Sequence, residues 1–303
     1  MNKTIIQDLG EYSGNHLWIK REDLIPFSFG GNKARKAELF FREIDSSDYN
    51  CVVTYGSSSS NHCRVISNEC CRRGLKCCII SPEEASEPTF NSYMMELFGA
   101  EMKTVPVSEV HDTIEDTLRR LREDGYRPFF IEGGGHGNTG TEAYVQCYRE
   151  IVEQEQELGV HFDHIFFASG TGTTHAGLVA GQLLNGDERE IIGISIARKN
   201  PRGRDVVIDS LRSYLGDRVS EDEIQKKTVF IDEYVTGYGK GSPEVTALIT
   251  DILKRYGISL DPTYTGLAFR GMTEYMKNIS GKNVLFIHTG GTPLFFDLLR
   301  RKE

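Results

Sequence analysis

Short apolar runs alternate with longer amphipathic stretches along nearly the whole chain. Residues 17–21 (LWIKR) read as a short strand, and Ala37, Phe41 and Ile44 lie at helical spacing after Lys33. Residues 51–55 (CVVTY) read as a strand ending at Gly56, and 61–73 as a helix stopped by Gly74. Strands at 75–80, 100–107 and 129–131 follow, interleaved with helices at 88–98, 111–123 and 141–157. The second half repeats the style, with strands at 165–167, 191–196, 228–231 and 284–287 and a helix at 176–184. A switch of apolar period between two and 3.6 separates strand from helix. Strands alternating with helices predict an α/β fold, with mostly parallel sheets covered on both faces. No repeat, low-complexity tract or Pro/Ser-rich hinge marks a domain boundary.

The 303 residues, 39% hydrophobic and 26% charged, are enough for a large core or two domains. A net charge of −9 argues against a general role with nucleic acid or anionic membranes, while leaving room for a local basic pocket. No apolar run approaches the roughly 20 residues that span a bilayer. The first eight residues lack a long apolar core and a cleavage site, so the expected location is the cytoplasm. Seven cysteines occur without any CxxC pair. Cys63, Ile66 and Cys70 share a helical face, and Cys78 extends an apolar strand, so the thiols read as small buried hydrophobes rather than as a zinc site.

The segment FGGNKARK (29–36) carries the densest chemistry. Glycines let backbone approach a ligand, and a helix start offers free N–H groups and positive potential to an anion. A lysine there becomes a nucleophilic amine when its pKa is lowered. Lys33 therefore reads either as the attachment point of an aldehyde cofactor bearing a phosphate, or as part of a solvated basic first turn. Three further loops follow predicted strands, where ligands of open α/β sheets sit. GSSSSNH (56–62) offers Ser60 or Asn61 as an N-cap and N–H groups for a carboxylate, or a serine-rich cap alone. SGTGTTHAG (169–177) offers N–H groups and hydroxyls to a monophosphate, or makes a structural turn; it matches neither GxGxxG nor the Lys-bearing P-loop. HTGGTP (288–293) could close the pocket. In DPTYTG (261–266), Tyr264 reads as a general acid, an active-site wall or a packed aromatic.

In this order, these segments resemble the fold-type-II pyridoxal-phosphate enzymes. They are most similar to the family of 1-aminocyclopropane-1-carboxylate deaminases and D-cysteine desulfhydrases. The resemblance runs from IKREDL (19–24) through GGNKARK, Ser60-Asn61-His62 and the EGGG turn (132–135) to HTGG (288–291). It implies two three-layer αβα domains, tryptophan synthase β-like: a larger one from residues 1–36 and 151–303, and a smaller one from 37–150, with the cofactor in the cleft between them. It puts the Schiff-base lysine on Lys33 and the phosphate on Lys36 and the cup Gly170, Thr171, Gly172, Thr173 and Thr174. Asn61 would bond the cofactor's ring hydroxyl. Ser60 would sit beside the substrate carboxylate, with His62, Tyr238 and Tyr264 on the substrate side, and Thr265 or Thr289 would face the pyridine nitrogen. No metal is implied, and a homodimer is.

Three positions depart from the pattern. Deaminases of the cyclopropane acid place a Glu where this chain has Thr265, and a carboxylate there keeps the ring nitrogen protonated and strengthens the electron sink. Thr265 resembles the desulfhydrase side. Ser59 and Leu267 stand where relatives often carry Gln and Lys. The resemblance thus implies α,β-elimination from a β-substituted amino acid such as D-cysteine, giving pyruvate, ammonium and sulfide. Ring-opening deamination, other β-lyases, a racemase and a non-catalytic pyridoxal-phosphate-binding protein are the alternatives. A nicotinamide oxidoreductase is a further alternative, but the Gly/Thr loop lacks the glycine spacing it needs.

Overall fold

The computed structural model describes residues 3–235 and 242–299. Ten strands occur among the described residues: β1 (Ile6–Tyr12), β2 (Asn15–Lys20), β3 (Cys51–Tyr55), β4 (Lys76–Pro82), β5 (Glu101–Val105), β6 (Pro128–Ile131), β7 (His164–Ser169), β8 (Glu190–Ser195), β9 (Val229–Ile231) and β10 (Asn283–Ile287). The helices are α1 (Asn32–Asp45), α2 (Asn61–Arg73), α3 (Phe90–Leu97), α4 (Val110–Glu123), α5 (Asn138–Leu158), α6 (Thr173–Asn185), α7 (Arg202–Leu215), α8 (Glu221–Lys227), α9 (Pro243–Tyr256), α10 (Thr265–Met276) and α11 (Thr292–Leu299). The fold is α/β with mostly parallel sheets, as the alternation predicted.

The strands form two sheets. One has six strands in the order β1-β2-β10-β7-β8-β9; the other has four in the order β5-β4-β3-β6. Every pairing is parallel except β1 with β2. Parallel strands covered on both faces must be apolar throughout, and β7 (HIFFAS) is buried at every position. Two apolar clusters flank the six-stranded sheet: α5, α6 and α7 lie on one side, α9 and α10 on the other. The four-stranded sheet packs against α1 and α2 on one face and α4 on the other. Residue 150 falls inside α5, whose buried Tyr144, Tyr148 and Ile151 belong to the core of the larger sheet. Six of the seven cysteines are buried within these clusters, and Cys71 is exposed.

The pattern missed β1, an edge strand with only Leu9 buried, because a half-wet edge needs little apolar alternation. It also missed α7, α8, α9 and α11, and started α6 three residues late, since its first turn (Thr173-Thr174-His175) reads as loop.

A buried ionic network ties the start of the chain to α1 and α5. Glu22 accepts from Arg35 Nε at 2.5 Å and Nη2 at 2.7 Å, from Thr4 Oγ1 at 2.6 Å and from Tyr144 Oη at 3.2 Å. Glu150 accepts from Lys20 at 2.6 Å and pairs with Arg35 at 3.0 Å. Burial alone would raise the Glu22 carboxyl, but the Arg35 guanidinium overcomes it and holds the pKa at about 2.

Candidate active site

The carboxyl ends of both sheets face one cleft. The loops after β3, β6, β7, β8 and β10 and the start of α1 enclose a cavity of about 310 Å³, suited to a small organic group. Lys33, Ser60, Asn61, His62, Gly170, Thr171, Gly172, Thr174, Tyr264 and Thr289 line it. Lys36, Thr173 and Thr265 stand behind that wall. Tyr238 lies outside the described residues.

Lys33 is aimed by the two glycines before it. Gly30 and Gly31 adopt φ of 61° and 93°, in the region that side chains avoid. A Cβ on Gly31 would lie 2.6 Å from the Thr289 carbonyl oxygen. The close approach lets Gly31 N–H donate to Glu22 O at 2.7 Å and Asn32 N–H to Thr289 O at 3.0 Å, which pins the first turn of α1 beneath the β10 loop. The Lys33 ammonium then donates to Gly134 O at 2.9 Å. No carboxylate among the described residues pairs with it, so burial lowers its pKa to about 8. Nearby His62 is held well below its usual pKa by burial and then by the charges of Lys33 and Lys36. It is therefore a neutral ring, with Nε2 2.9 Å from Thr54 Oγ1.

Two helix starts point into the cavity. At α2, the Ser60 oxygen accepts from Cys63 N–H at 3.1 Å, so its hydroxyl proton remains available to a ligand. At α6, Gly172 is the N-cap and supplies no side-chain cap. The first-turn N–H groups there are left for an anion. Lys36 donates to Thr173 Oγ1 at 2.6 Å, and Asn32 Nδ2 to Thr174 Oγ1 at 3.1 Å, which fastens this turn to α1. Desolvation, followed by the neighbouring Lys33 charge, holds Lys36 well below its usual pKa.

The far wall is organised by Asp261. Its buried carboxylate accepts from the N–H groups of Thr263 at 2.9 Å, Tyr264 at 2.7 Å and Thr265 at 3.0 Å, and from Thr265 Oγ1 at 2.7 Å. Thr265 Oγ1 in turn accepts from Asp261 N–H at 2.9 Å. Its hydroxyl is thus spent on the turn that presents Tyr264, and of the two candidate threonines only Thr289 reaches the cavity. Arg198, after β8, also lines the cavity and donates to the Gly170 carbonyl. Sequence reasoning passed over Arg198, although the strand-end rule that selected the other loops applies to it equally. Asn32, Tyr55 and His175 are further cavity-lining residues not singled out from sequence.

The family model described as "Pyridoxal-phosphate dependent enzyme" matches residues 3–290. The chain belongs to that family. It is similar to the D-cysteine desulfhydrase of Serratia proteamaculans (strain 568), with 33% identity covering 95% of this chain and 90% of that protein. It is also similar to a putative 1-aminocyclopropane-1-carboxylate deaminase of Pyrococcus abyssi (strain GE5 / Orsay), with 31% identity covering 93% and 86%. Among solved structures, an ACC deaminase homologue superposes with a TM-score of 0.86 at 29% identity, covering 99% of this chain and 93% of that one. The protein is a pyridoxal-phosphate-dependent enzyme, and its donor set fits that cofactor. A low-pKa amine suits the aldehyde, and an uncapped helix start among threonines suits the phosphate.

Proposed function

We propose that the enzyme catalyses α,β-elimination from a small β-substituted amino acid of the D-cysteine type, giving pyruvate, ammonium and sulfide. One observation carries the choice: among the described residues lining the cavity there is no Asp or Glu. Residues 236–241 (TGYGKG) contain none either. Without a carboxylate to keep the ring nitrogen protonated, the electron sink is weak. A weak sink suffices when proton removal at Cα expels a good β-leaving group. The similarity to proteins named D-cysteine desulfhydrase supports the same reading.

Bound pyridoxal phosphate supplies the conjugated ring that takes up charge from Cα. Lys33 would hold its aldehyde carbon. The α6 start with Gly170, Thr171, Gly172 and Thr174 would hold the phosphate, and Lys36 and Thr173 would brace that cup from behind. Asn61 would meet the ring oxygen and Thr289 the ring nitrogen. Displaced from the aldehyde carbon by the substrate's own amino group, the freed Lys33 amine would take the Cα proton, being partly neutral near pH 8. The Ser60 hydroxyl and the N–H groups at the start of α2 hold the substrate carboxylate. Tyr264, oriented by Asp261, gives a proton to the departing thiol. Aminoacrylate is released and hydrolyses to pyruvate and ammonium. The chain is read as a cytoplasmic homodimer; no described helix is long and apolar enough to cross a membrane.

Ring-opening deamination is the second reading, favoured by the likeness to the ACC deaminase homologue. A panel of D- and L-cysteine, chloroalanine, serine and the cyclopropane acid separates the two. Sulfide with pyruvate from a cysteine supports elimination, and 2-oxobutanoate from the cyclopropane acid alone overturns it. Cofactor uptake without turnover of any of these would make the protein a binder.

A further inference from the structure

A polar chain behind the cavity wall has no counterpart in the chemistry described so far. Arg64, on the first turns of α2, is fully buried. Its guanidinium stacks 5.7 Å from the Phe29 ring, beside the glycine pair, and its Nη1 donates to Asn91 Oδ1 at 3.3 Å. Its Nε and Nη2 have no hydrogen-bond partner among the described residues. A buried cation left this incompletely paired is costly and calls for a reason. Asn91, on α3, is itself completely buried. Its Nδ2 donates to Ser59 O at 2.9 Å and to Asn61 Oδ1 at 3.0 Å.

Bonding capacity admits one arrangement. A guanidinium only donates and a backbone carbonyl only accepts. Arg64 on one side and the Ser59 carbonyl on the other therefore fix which way round the Asn91 amide sits. Its NH2 group then meets Asn61, so the atom of Asn61 facing it must be the oxygen. The NH2 group of Asn61 is left for the cavity that Asn61 lines. The segment that carries Asn91 is fastened to the same loop, since Thr89 Oγ1 donates to Ser58 O at 2.7 Å and Ser58 Oγ to Glu87 O at 2.6 Å.

We propose that Asn91, clamped by Arg64, is a positioning residue that turns the Asn61 amide so that a donor faces the bound cofactor's ring oxygen. The proposal rests on the pyridoxal-phosphate site described above. A donor there favours the ionised form of that oxygen, and an acceptor favours the protonated form. Asn91→Asp reverses the arrangement: the new carboxylate only accepts, so Asn61 must donate to it and present its own oxygen to the cavity. The same carboxylate gains an ion pair with Arg64 and loses the bond to the Ser59 carbonyl, which it then faces acceptor to acceptor, so thermal melting reads the balance of the two.

The test compares wild type, Asn91→Asp and Asn91→Ala. The absorption spectrum of bound pyridoxal phosphate reads the form of the ring oxygen, titration reads uptake, and thermal melting reads stability. The expected result for Asn91→Asp is a spectrum moved toward the protonated-oxygen form and uptake weakened by about five- to tenfold, the usual worth of one hydrogen bond, with Asn91→Ala as the control for lost stability. Asn91→Ala should weaken uptake with a smaller spectral change. A wild-type spectrum in Asn91→Asp overturns the proposal, as does a spectral change in Asn91→Ala as large as that in Asn91→Asp. Side-chain amide NMR of the cofactor-free protein reads Asn61 directly: its resonances should move in Asn91→Asp, and unmoved resonances overturn the proposal. A wild type that takes up no pyridoxal phosphate would sink the site assignment instead, and the NMR comparison would still decide the orientation.

Discussion

Lys33 should be the most reactive lysine of the cofactor-free enzyme, and its reactivity should rise through pH 8. The cause is desolvation without a partnering carboxylate, which lowers its pKa to about 8. At pH 7, about 9% of such an amine is neutral, against about 0.04% of an ordinary lysine with pKa near 10.4. The ratio of roughly 200 is the expected selectivity when a small aldehyde and cyanoborohydride are supplied in limiting amount and peptides are read by mass spectrometry. The sign follows from the charge: burial disfavours the ammonium, so labelling grows as pH rises toward 8 and levels off above it, where an exposed lysine is still climbing. Lys36 is an internal control. Its pKa is also lowered, yet it stands behind the cavity wall and donates to Thr173 and Gly134, so it should escape the label. A half-maximal pH near 10 for Lys33, or faster labelling of any other lysine, would refute the reasoning. Lys33→Ala should abolish both the label and turnover.

Further outcomes separate the roles of neighbouring residues. Thr265→Val should cost about 1–3 kcal/mol of stability, because the buried Asp261 carboxylate loses a donor, while Thr289→Val should leave the melting temperature alone and lower kcat about tenfold, one lost hydrogen bond at the cofactor ring; the opposite split would exchange the two threonines. Gly31→Ala should destabilise by about 1–3 kcal/mol and reduce cofactor uptake, since the new methyl meets the Thr289 carbonyl at a positive φ; thermal melting and titration check it. Glu22 adds acid sensitivity: its pKa is about 2 in the fold against about 4.3 when unfolded, so about 3 kcal/mol of stability is fully present above pH 4.3 and is lost as pH falls toward 2. Glu22→Gln should flatten that limb of the stability curve, and an unchanged acid limb would refute the assignment.

The fold was legible where a single physical demand dominated. Parallel strands buried on both faces must be apolar end to end, so β3 and β7 announced themselves. α2 was bounded correctly because Ser60 caps it and Gly74, at φ 67°, ends it. The glycine pair before Lys33 was legible for the same reason, since few arrangements call for two glycines, an Asn and a Lys at a helix start. The distinction between wall and backing was not legible. Lys36, Thr173 and Thr265 resemble in sequence the residues that line the cavity, and only the fold shows that Thr265 spends its hydroxyl on Asp261 and that Lys36 braces Thr173. Arg64 and Asn91 were invisible for a stronger reason: their meaning lies in a contact between α2 and α3, 27 residues apart in sequence.

The placement of α1 explains how one short motif can serve both sheets. Its apolar face, with Ala37, Phe41 and Ile44, belongs to the core of the four-stranded sheet. Its first turn is bonded instead to loops of the six-stranded sheet, through Glu22 O and Thr289 O. Lys33 sits where these two attachments meet, and its ammonium reaches across to Gly134, on the loop after β6 of the smaller sheet. Any shift of one sheet against the other must therefore move the amine relative to Gly134 or to the start of α6. The buried Glu22–Arg35–Glu150–Lys20 network resists such a shift, because breaking one partner strands an opposite charge in the interior. The IKREDL segment that contributes Lys20 and Glu22 thus earns its place by rigidity, holding the lysine at a fixed distance from the groups that would grip the far end of the cofactor.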